Sequence, residues 1–477
     1  QYHRYWKDEG KTWTIGEARW AYCCKDACAT FEIKEALDRL AEALGLTAQV
    51  AEEMANFPVF FDIGLRGIRQ TKEAREAASK ELRPQIKERL KTLEYIFDHP
   101  VKVNSAPQMK ALFYDDLGVP PVLHRKTGKP TLAADAMETI AEREPILRYP
   151  IMLIEQVRSL QVYDSTFIKA KLDADGRIRT SFNIAGADTL RLASSKTPFG
   201  TGANLMNIPK GSQVAIAKLV KTHGKLSVDE IASALNMSLE KAETEVDALL
   251  DKAVLARAGS NEKGLDVVSA MFVLPNIRSF FLPDEGMGWL EADLDRADAQ
   301  VVAWEADDDT LKSIFRSGAD LHQANADSMN LRGDSTHSAR HLAKIGIHSI
   351  NYGSRARTLA SSLKITISAA EDFIRSWFGA HPKILAWHRR VEARLREKRL
   401  ENRYIESAFG FRRYYFDRPE QAFTKALAWV PQHTVAITIN RGIRNLYHSD
   451  LPLDLLLQVH DSASMQVPQN LVRIEER

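Results

Sequence analysis

The stretch LLLQVHDSASMQVP, residues 455–468, restricts the fold more than any other part of this chain. Apolar residues run up to His460-Asp461, and a small-residue turn leads into a second apolar alternation. The pattern is that of two antiparallel strands meeting at a tight hairpin with a carboxylate at its tip. It places a sheet in a chain whose other long segments read mostly as helix. Asp suits turns on its own account. The His-Asp pair gains a chemical meaning only if a second carboxylate elsewhere is placed to meet it.

With 477 residues the chain is long enough for two to four domains and a sizeable core. Its 65 basic and 63 acidic residues leave a formal charge of +2, which argues neither for nor against nucleic acid; local patches must decide. The cysteines, Cys23, Cys24 and Cys28, are sparse and odd in number, as in a reducing compartment, and lack further ligands at zinc spacing. No apolar run of about 18 residues and no signal peptide are evident. A cytoplasmic location is the expectation.

Residues 30–100 are helical in pattern, with Gly45 as a stop and Pro84 as a break in the charged run 74–95. Residues 103–121 read as a loop leading into a short helix. KLDADGRIRTSFNIAG alternates like strand around an Asp-Gly turn, and a Gly-, Ser- and Asn-rich loop follows up to residue 210. Residues 222–260 show helix, short turn, helix and an apolar strand, the pattern of a helix-turn-helix or winged-helix unit or of a plain helical insert. Strand character returns at 276–305, with a turn near Asp284-Glu285-Gly286, and helix at 308–405.

Two stretches supply partners for the hairpin. In LEADLDRADAQVVAWEADDDTL (290–311) a strand carries Asp293 at its end and a helix starts just after, with Asp295 and Asp298 close by. Acids gathered at a helix N-terminus are also what its dipole favours. In STHSARHLAKIGIHSINYGS (335–354), Ser and Thr offer N-caps and Gly353 a stop. Arg340, Lys344, His348 and Tyr352 recur every four residues and form one slowly drifting stripe. Such a stripe suits a triphosphate with a base stacked at its far end; it also suits a solvated basic face with a core Tyr.

In this order the three stretches resemble the three polymerase motifs of family A DNA polymerases, the DNA polymerase I-like group that includes many bacteriophage enzymes. Asp293 and Asp298 stand where that family has its catalytic Asp and a Glu five residues on. Arg340, Lys344, His348, Tyr352 and Gly353 match the second motif, and Val459, His460, Asp461 and Ser462 match Val-His-Asp-Glu. TLRLASS…NLMNIP (189–209), GADLHQ (318–323), YIESAFGFRRYY (404–415), Gln432 and NSAPQMKALF (104–113) resemble further family segments in the right order. Tyr22 and Asp26 resemble the last motif of the family's 3′–5′ exonuclease domain, whose earlier carboxylates are absent, so no exonuclease activity is expected.

The resemblance implies an α+β right-hand polymerase with an antiparallel palm sheet and helical fingers and thumb. Residues 1–50 would be an exonuclease remnant, 51–168 the thumb and 169–211 the first palm segment. Residues 212–275 would be an insertion, winged-helix-like and a possible replication-partner contact. Palm would resume at 276–311, fingers at 312–418, and palm again at 419–477. The family continues past its third motif with a helix and a closing strand, so the resemblance reads the chain as truncated at both ends.

It further implies DNA-templated extension of a primer 3′-hydroxyl with dNTPs. Two Mg²⁺ ions, or Mn²⁺ in their place, would be held by Asp293, Asp461 and the Leu294 carbonyl. Arg340, Lys344 and His322 would take the phosphates, Tyr352 would sit by the templating pair, and Asp298 and His348 would act near the sugar. Arg191, Asn204, Asn207, Gln432, His460 and Arg412 would contact primer-template DNA. The basic, aromatic-interleaved run 386–404 is also a duplex candidate in this setting. The sequence departs from the family at Ser462, which replaces an acid, at His348 and in the long 212–275 segment. A single-subunit RNA polymerase and a catalytically weak DNA-binding fragment are the competing readings. Asp298 counts against the first, and the retained Asp293, Asp461, Arg340 and Lys344 against the second.

Overall fold

The computed structural model describes residues 14–124, 127–208, 211–251, 254–261, 266–331, 339–363 and 365–472. A long helix, Ile15–Ala43, opens the described chain behind a Thr14/Glu17 capping box and carries the three exposed, unbridged cysteines. Helix α1 (Lys72–Phe97) runs straight through Pro84, against the break expected there. Pro84 lies on the exposed face, where water can hydrate the Lys80 carbonyl that loses its donor. On the opposite face Leu82 and Leu93 are fully buried and hold the two halves in line. Helix α1 packs on α2 (Arg148–Tyr163), and Leu93, Met109, Phe113, Met137, Ile140 and Ile154 form one core there.

That core does not include the start of the 51–168 span. Helix Asn56–Arg66 buries Val59, Phe60 and Ile63 instead against Ile443, Leu455, Ala463 and Met465, beneath the sheet of the opening hairpin.

Residues 211–270 fold as α3 (Gly211–His223), β1 (Leu226–Ser227), α4 (Val228–Ala234), α5 (Leu239–Asp251), β2 (Leu255–Ser260) and β3 (Asp266–Ala270). The strands form an antiparallel sheet in the order β1-β3-β2. A Ser227/Glu230 capping box starts α4, and Asn236 in the left-handed region (φ 47°) turns the chain into α5. This segment is not a tethered module. Its Ile216, Val220, Ile231, Val246 and Leu249 share a core with Ile68, Leu160, Ile277, Phe280 and Leu457.

Strand β4 (Met287–Asp293) is followed by α6 (Ala297–Glu305), α7 (Leu321–Ser328) and α8 (Ala339–Asn351). The two-stranded hairpin β5 (Tyr404–Glu406) and β6 (Arg412–Tyr414) leads to the long helix α9 (Pro419–Tyr447). Strands β7 (Asp454–Val459) and β8 (Ser462–Pro468) then form the opening hairpin. The sheet order is β7-β8-β4, all antiparallel. Between the apolar positions of β8, Ser462, Ser464 and Gln466 form a buried polar row. Gln466 satisfies it by bonding Asp284 and Asp454 at 2.9 Å each, so the strand is covered on both faces.

The helical segment gathers its own core around Trp377, Ile384, Leu359, Leu427 and Ile350. The basic run 386–404 contributes to it. Trp387 and His388 point into the core, and Arg394 lies 4.3 Å from the Tyr404 ring centre. Among the described residues no helix is long and apolar enough to cross a membrane.

Candidate functional site

The hairpin tip and the end of β4 meet. Val459 pairs with Ser462, so His460-Asp461 is a two-residue loop, and His460 takes the positive φ (55°) such loops need. Ser462 in turn pairs with Asp293, and the Leu294 N–H donates to the Asp461 carbonyl at 3.1 Å. Two residues 168 positions apart are thus brought to adjoining strand ends by backbone register. Asp293 is exposed and Asp461 half-buried. Ser462 donates to its own hairpin, at the Val459 carbonyl 2.9 Å away.

Asp298 lies one turn into the chain beyond β4, in the first turn of α6. Both its oxygens accept from Arg191 Nη2, at 3.1 and 3.3 Å, and Oδ2 also accepts from the Tyr352 hydroxyl at 3.2 Å. Burial, and then the Asp298 carboxylate, raise the Tyr352 pKa, so the hydroxyl stays protonated and donates. Gln432 on α9 lies within hydrogen-bonding reach of Tyr352. His348 packs edge-on to Tyr352, with ring centres 4.5 Å apart. Its outer edge is exposed, yet the crowding around it holds its pKa below the ordinary value.

Helix α8 is clamped in place at two glycines. A Cβ on Gly346 would come within 2.6 Å of the Phe373 ring. Gly353 (φ 79°) ends the helix where a side chain would press on Leu427 and Phe423. The N-cap candidates Ser335, Thr336 and Ser338 lie outside the described residues. Arg340 and Lys344, at the start of the stripe, are already engaged. Asp320 accepts from Arg340 Nε at 2.7 Å while capping the His322 and Gln323 amides of α7. Glu243 on α5 forms a second ion pair with Arg340. Lys344 donates to the Thr244 hydroxyl at 2.7 Å and lies 3.7 Å from Asp247. His322 faces this group. Burial and then the Lys344 charge push its pKa down to about 4, so it is neutral at pH 7.

The remaining expected residues are more scattered. Asn204 accepts from Ser194 at 2.6 Å, and Asn207 is exposed nearby. Arg412 is turned to its own hairpin, donating to Glu406 at 2.6 Å and to the Leu44 carbonyl at 3.3 Å. Its neighbour Arg413, not singled out from the sequence, pairs with Asp188 just before Arg191, and Trp429 donates to the Asp188 carbonyl at 2.9 Å. Asp320 was legible as a helix cap but not as the partner of Arg340. Glu243 and Asp247 carried a signal too, an acid pair at the four-residue spacing of the cation pair.

The model of DNA polymerase family A matches residues 72–229 and 216–476 of this chain. The chain belongs to DNA polymerase family A. A thermostable DNA polymerase I of Thermus filiformis is 28% identical over 427 residues, covering 86% of this chain and 42% of that protein. DNA polymerase I of Pseudomonas aeruginosa is 25% identical over 474 residues, covering 94% of this chain and 44% of that protein. This member of family A therefore spans less than half the length of these curated relatives. Its fold is that of the POL domain of Pol1 from M. smegmatis, solved in complex with DNA primer-template and dNTP. The two superpose with a TM-score of 0.67 at 22% identity, covering 93% of this chain and 68% of that one. The α+β architecture is accordingly that of a family A polymerase domain.

Proposed function

We propose that this chain is a DNA-templated DNA polymerase that joins a dNTP to a primer 3′-hydroxyl by phosphoryl transfer. The observation that carries this reading is the meeting of Asp293 and Asp461 at adjoining strand ends. Their donor set fits Mg²⁺: two carboxylates and the Leu294 carbonyl are hard oxygen ligands. Among the described residues no group of three or more His, Cys, Asp or Glu offers a rival metal site. Bound there, a pair of divalent ions would neutralise the transferring phosphoryl group and align the attacking and leaving oxygens.

The chain's own groups divide the remaining work. Arg340 and Lys344 take the β- and γ-phosphates and offset the charge of the leaving pyrophosphate. Neutral His322 adds a hydrogen bond beside them. Asp298, held by Arg191 and Tyr352, presents its carboxylate to the sugar and disfavours a 2′-hydroxyl. Tyr352, with His348 and Gln432 around it, sits by the templating pair. Arg191 and His460 guide the primer end, while Asn204, Asn207 and Arg412 lie towards the duplex.

Primer extension on a DNA template with Mg²⁺, comparing deoxy- with ribonucleotides, tests this reading. Extension with deoxynucleotides that disappears in Asp461→Ala is the expected result. Ribonucleotide preference would move the activity to RNA synthesis. Salt-sensitive duplex binding without extension would leave only a DNA-binding chain.

A further inference from the structure

The contact between α5 and α8 goes beyond what a polymerase site requires. Glu243 and Asp247 are four residues apart on α5, and Arg340 and Lys344 four apart on α8. The two stripes face each other: Glu243 pairs with Arg340, Asp247 lies 3.7 Å from Lys344, and Thr244 between the acids accepts from Lys344 at 2.7 Å. The contact is largely shielded from water. Side-chain exposure is 7% for Arg340, 19% for Lys344, 18% for Glu243 and 24% for Asp247. Charge-assisted bonds are strongest under such shielding.

The other face of α5 is fixed. Ala242, Val246 and Leu249 are at most 2% exposed, within the core that the 211–270 segment shares with the main sheet region. As the second helix of a helix-turn-helix-like pair, α5 is the element that would enter a DNA groove. Its sequence, LEKAETEVDALLD, carries five acids against one lysine, which phosphates would repel. The partner its charge fits is the pair of cations it already touches.

We propose that α5 is a built-in competitor for the incoming triphosphate. Glu243 and Asp247 hold Arg340 and Lys344 in the absence of nucleotide, and the phosphates of a dNTP must displace them. This rests on the reading of those two cations as phosphate ligands. Asp320, which also caps α7, stays on Arg340 and keeps it oriented during the exchange. A triphosphate brings more negative charge to the cations than two single carboxylates. A diphosphate or monophosphate brings less, so the device also rejects partly hydrolysed nucleotides.

The test is calorimetric titration of the full chain with inorganic triphosphate at low salt. The parent is compared with the double variant Glu243→Gln, Asp247→Asn, which keeps side-chain shape and leaves the buried face of α5 untouched. The expected result is binding roughly tenfold tighter in the variant, the scale of removing a competing charge-assisted hydrogen bond. Hydrogen exchange in the parent gives a second readout that needs no variant: amides of residues 239–251 should exchange faster when triphosphate saturates the site. Unchanged or weaker binding in the variant, or unaltered exchange in the parent, overturns the proposal. Primer extension on the same preparations keeps the two readings apart. Tightened binding without extension would sink the polymerase reading and leave the competitor standing. Normal extension with unchanged triphosphate affinity would sink the competitor alone.

Discussion

The two halves of the site are built in opposite ways. At the strand end, Asp293 and Asp461 are placed by backbone register, the first exposed and the second half-buried. On helix α8, Arg340 and Lys344 are placed by side-chain ion pairs and are largely covered. Carboxylates at a solvent-facing strand end lie within reach of a hard cation from solution. Covered cations must first exchange partners. The difference teaches that a motif's chemistry and its availability are separate properties, and that only the first is written in the motif.

Substitutions can break this contrast. Asp461→Ala should lower primer extension by about 10³-fold or more, with little change in melting temperature, because one carboxylate of the proposed metal pair is lost while the backbone register remains. Arg340→Ala should differ in kind. It removes a proposed phosphate ligand and strands Glu243 and Asp320, so kcat/KM for dNTP should fall by roughly 10²-fold and stability by about 2 kcal/mol, read by steady-state kinetics and chemical denaturation.

The covered region should also be the more sensitive to acid. His388 and His433 are buried and held to a pKa of about 4, and His322 beside the cations likewise. Each binds its proton in the unfolded chain near the ordinary value but not in the folded one. Stability is therefore full above about pH 6.5 and is lost as pH falls towards 4. His433→Gln should recover about 2 kcal/mol of the loss between pH 7 and pH 5, measured as a shallower decline of the denaturation midpoint.

Smaller effects sharpen the comparison at its edges. Asp298→Ala frees Arg191 and Tyr352, and the preference for deoxy- over ribonucleotides should drop by roughly tenfold in competition extension assays. Ser462→Ala removes only a hydrogen bond within the hairpin, so stability should change by about 1 kcal/mol or less and extension should stay near the parent's rate. A large loss of activity there would give Ser462 a part in the metal site.

Much of the fold was legible because its signals are local. The hairpin at 455–468, the turn at Gly286, the helix ending at Gly353 and the helix-turn-helix order of residues 222–260 all follow from residues within a few positions of one another. Pro84 misled because a helix break can be overridden by burial of Leu82 and Leu93 on the far face. The aromatics of 386–404 left the buried side open because their spacing does not say which side is the core. Arg413 was not singled out for a related reason. Neighbours on a strand point to opposite faces, and only packing shows which face meets the loop before Arg191.

The amino-acid sequence by itself determined the family, the four-residue cation stripe and the carboxylate at a hairpin tip, since each depends on short-range spacing. The tertiary structure alone decided that β8 lies between β7 and β4, which brings Asp293 to Asp461, and that α5 lies on α8, which covers the cations. Both are pairings between distant segments. Strand order is chosen by which faces can be buried together, and an ion pair forms only where packing of the apolar faces has already carried opposite charges within reach.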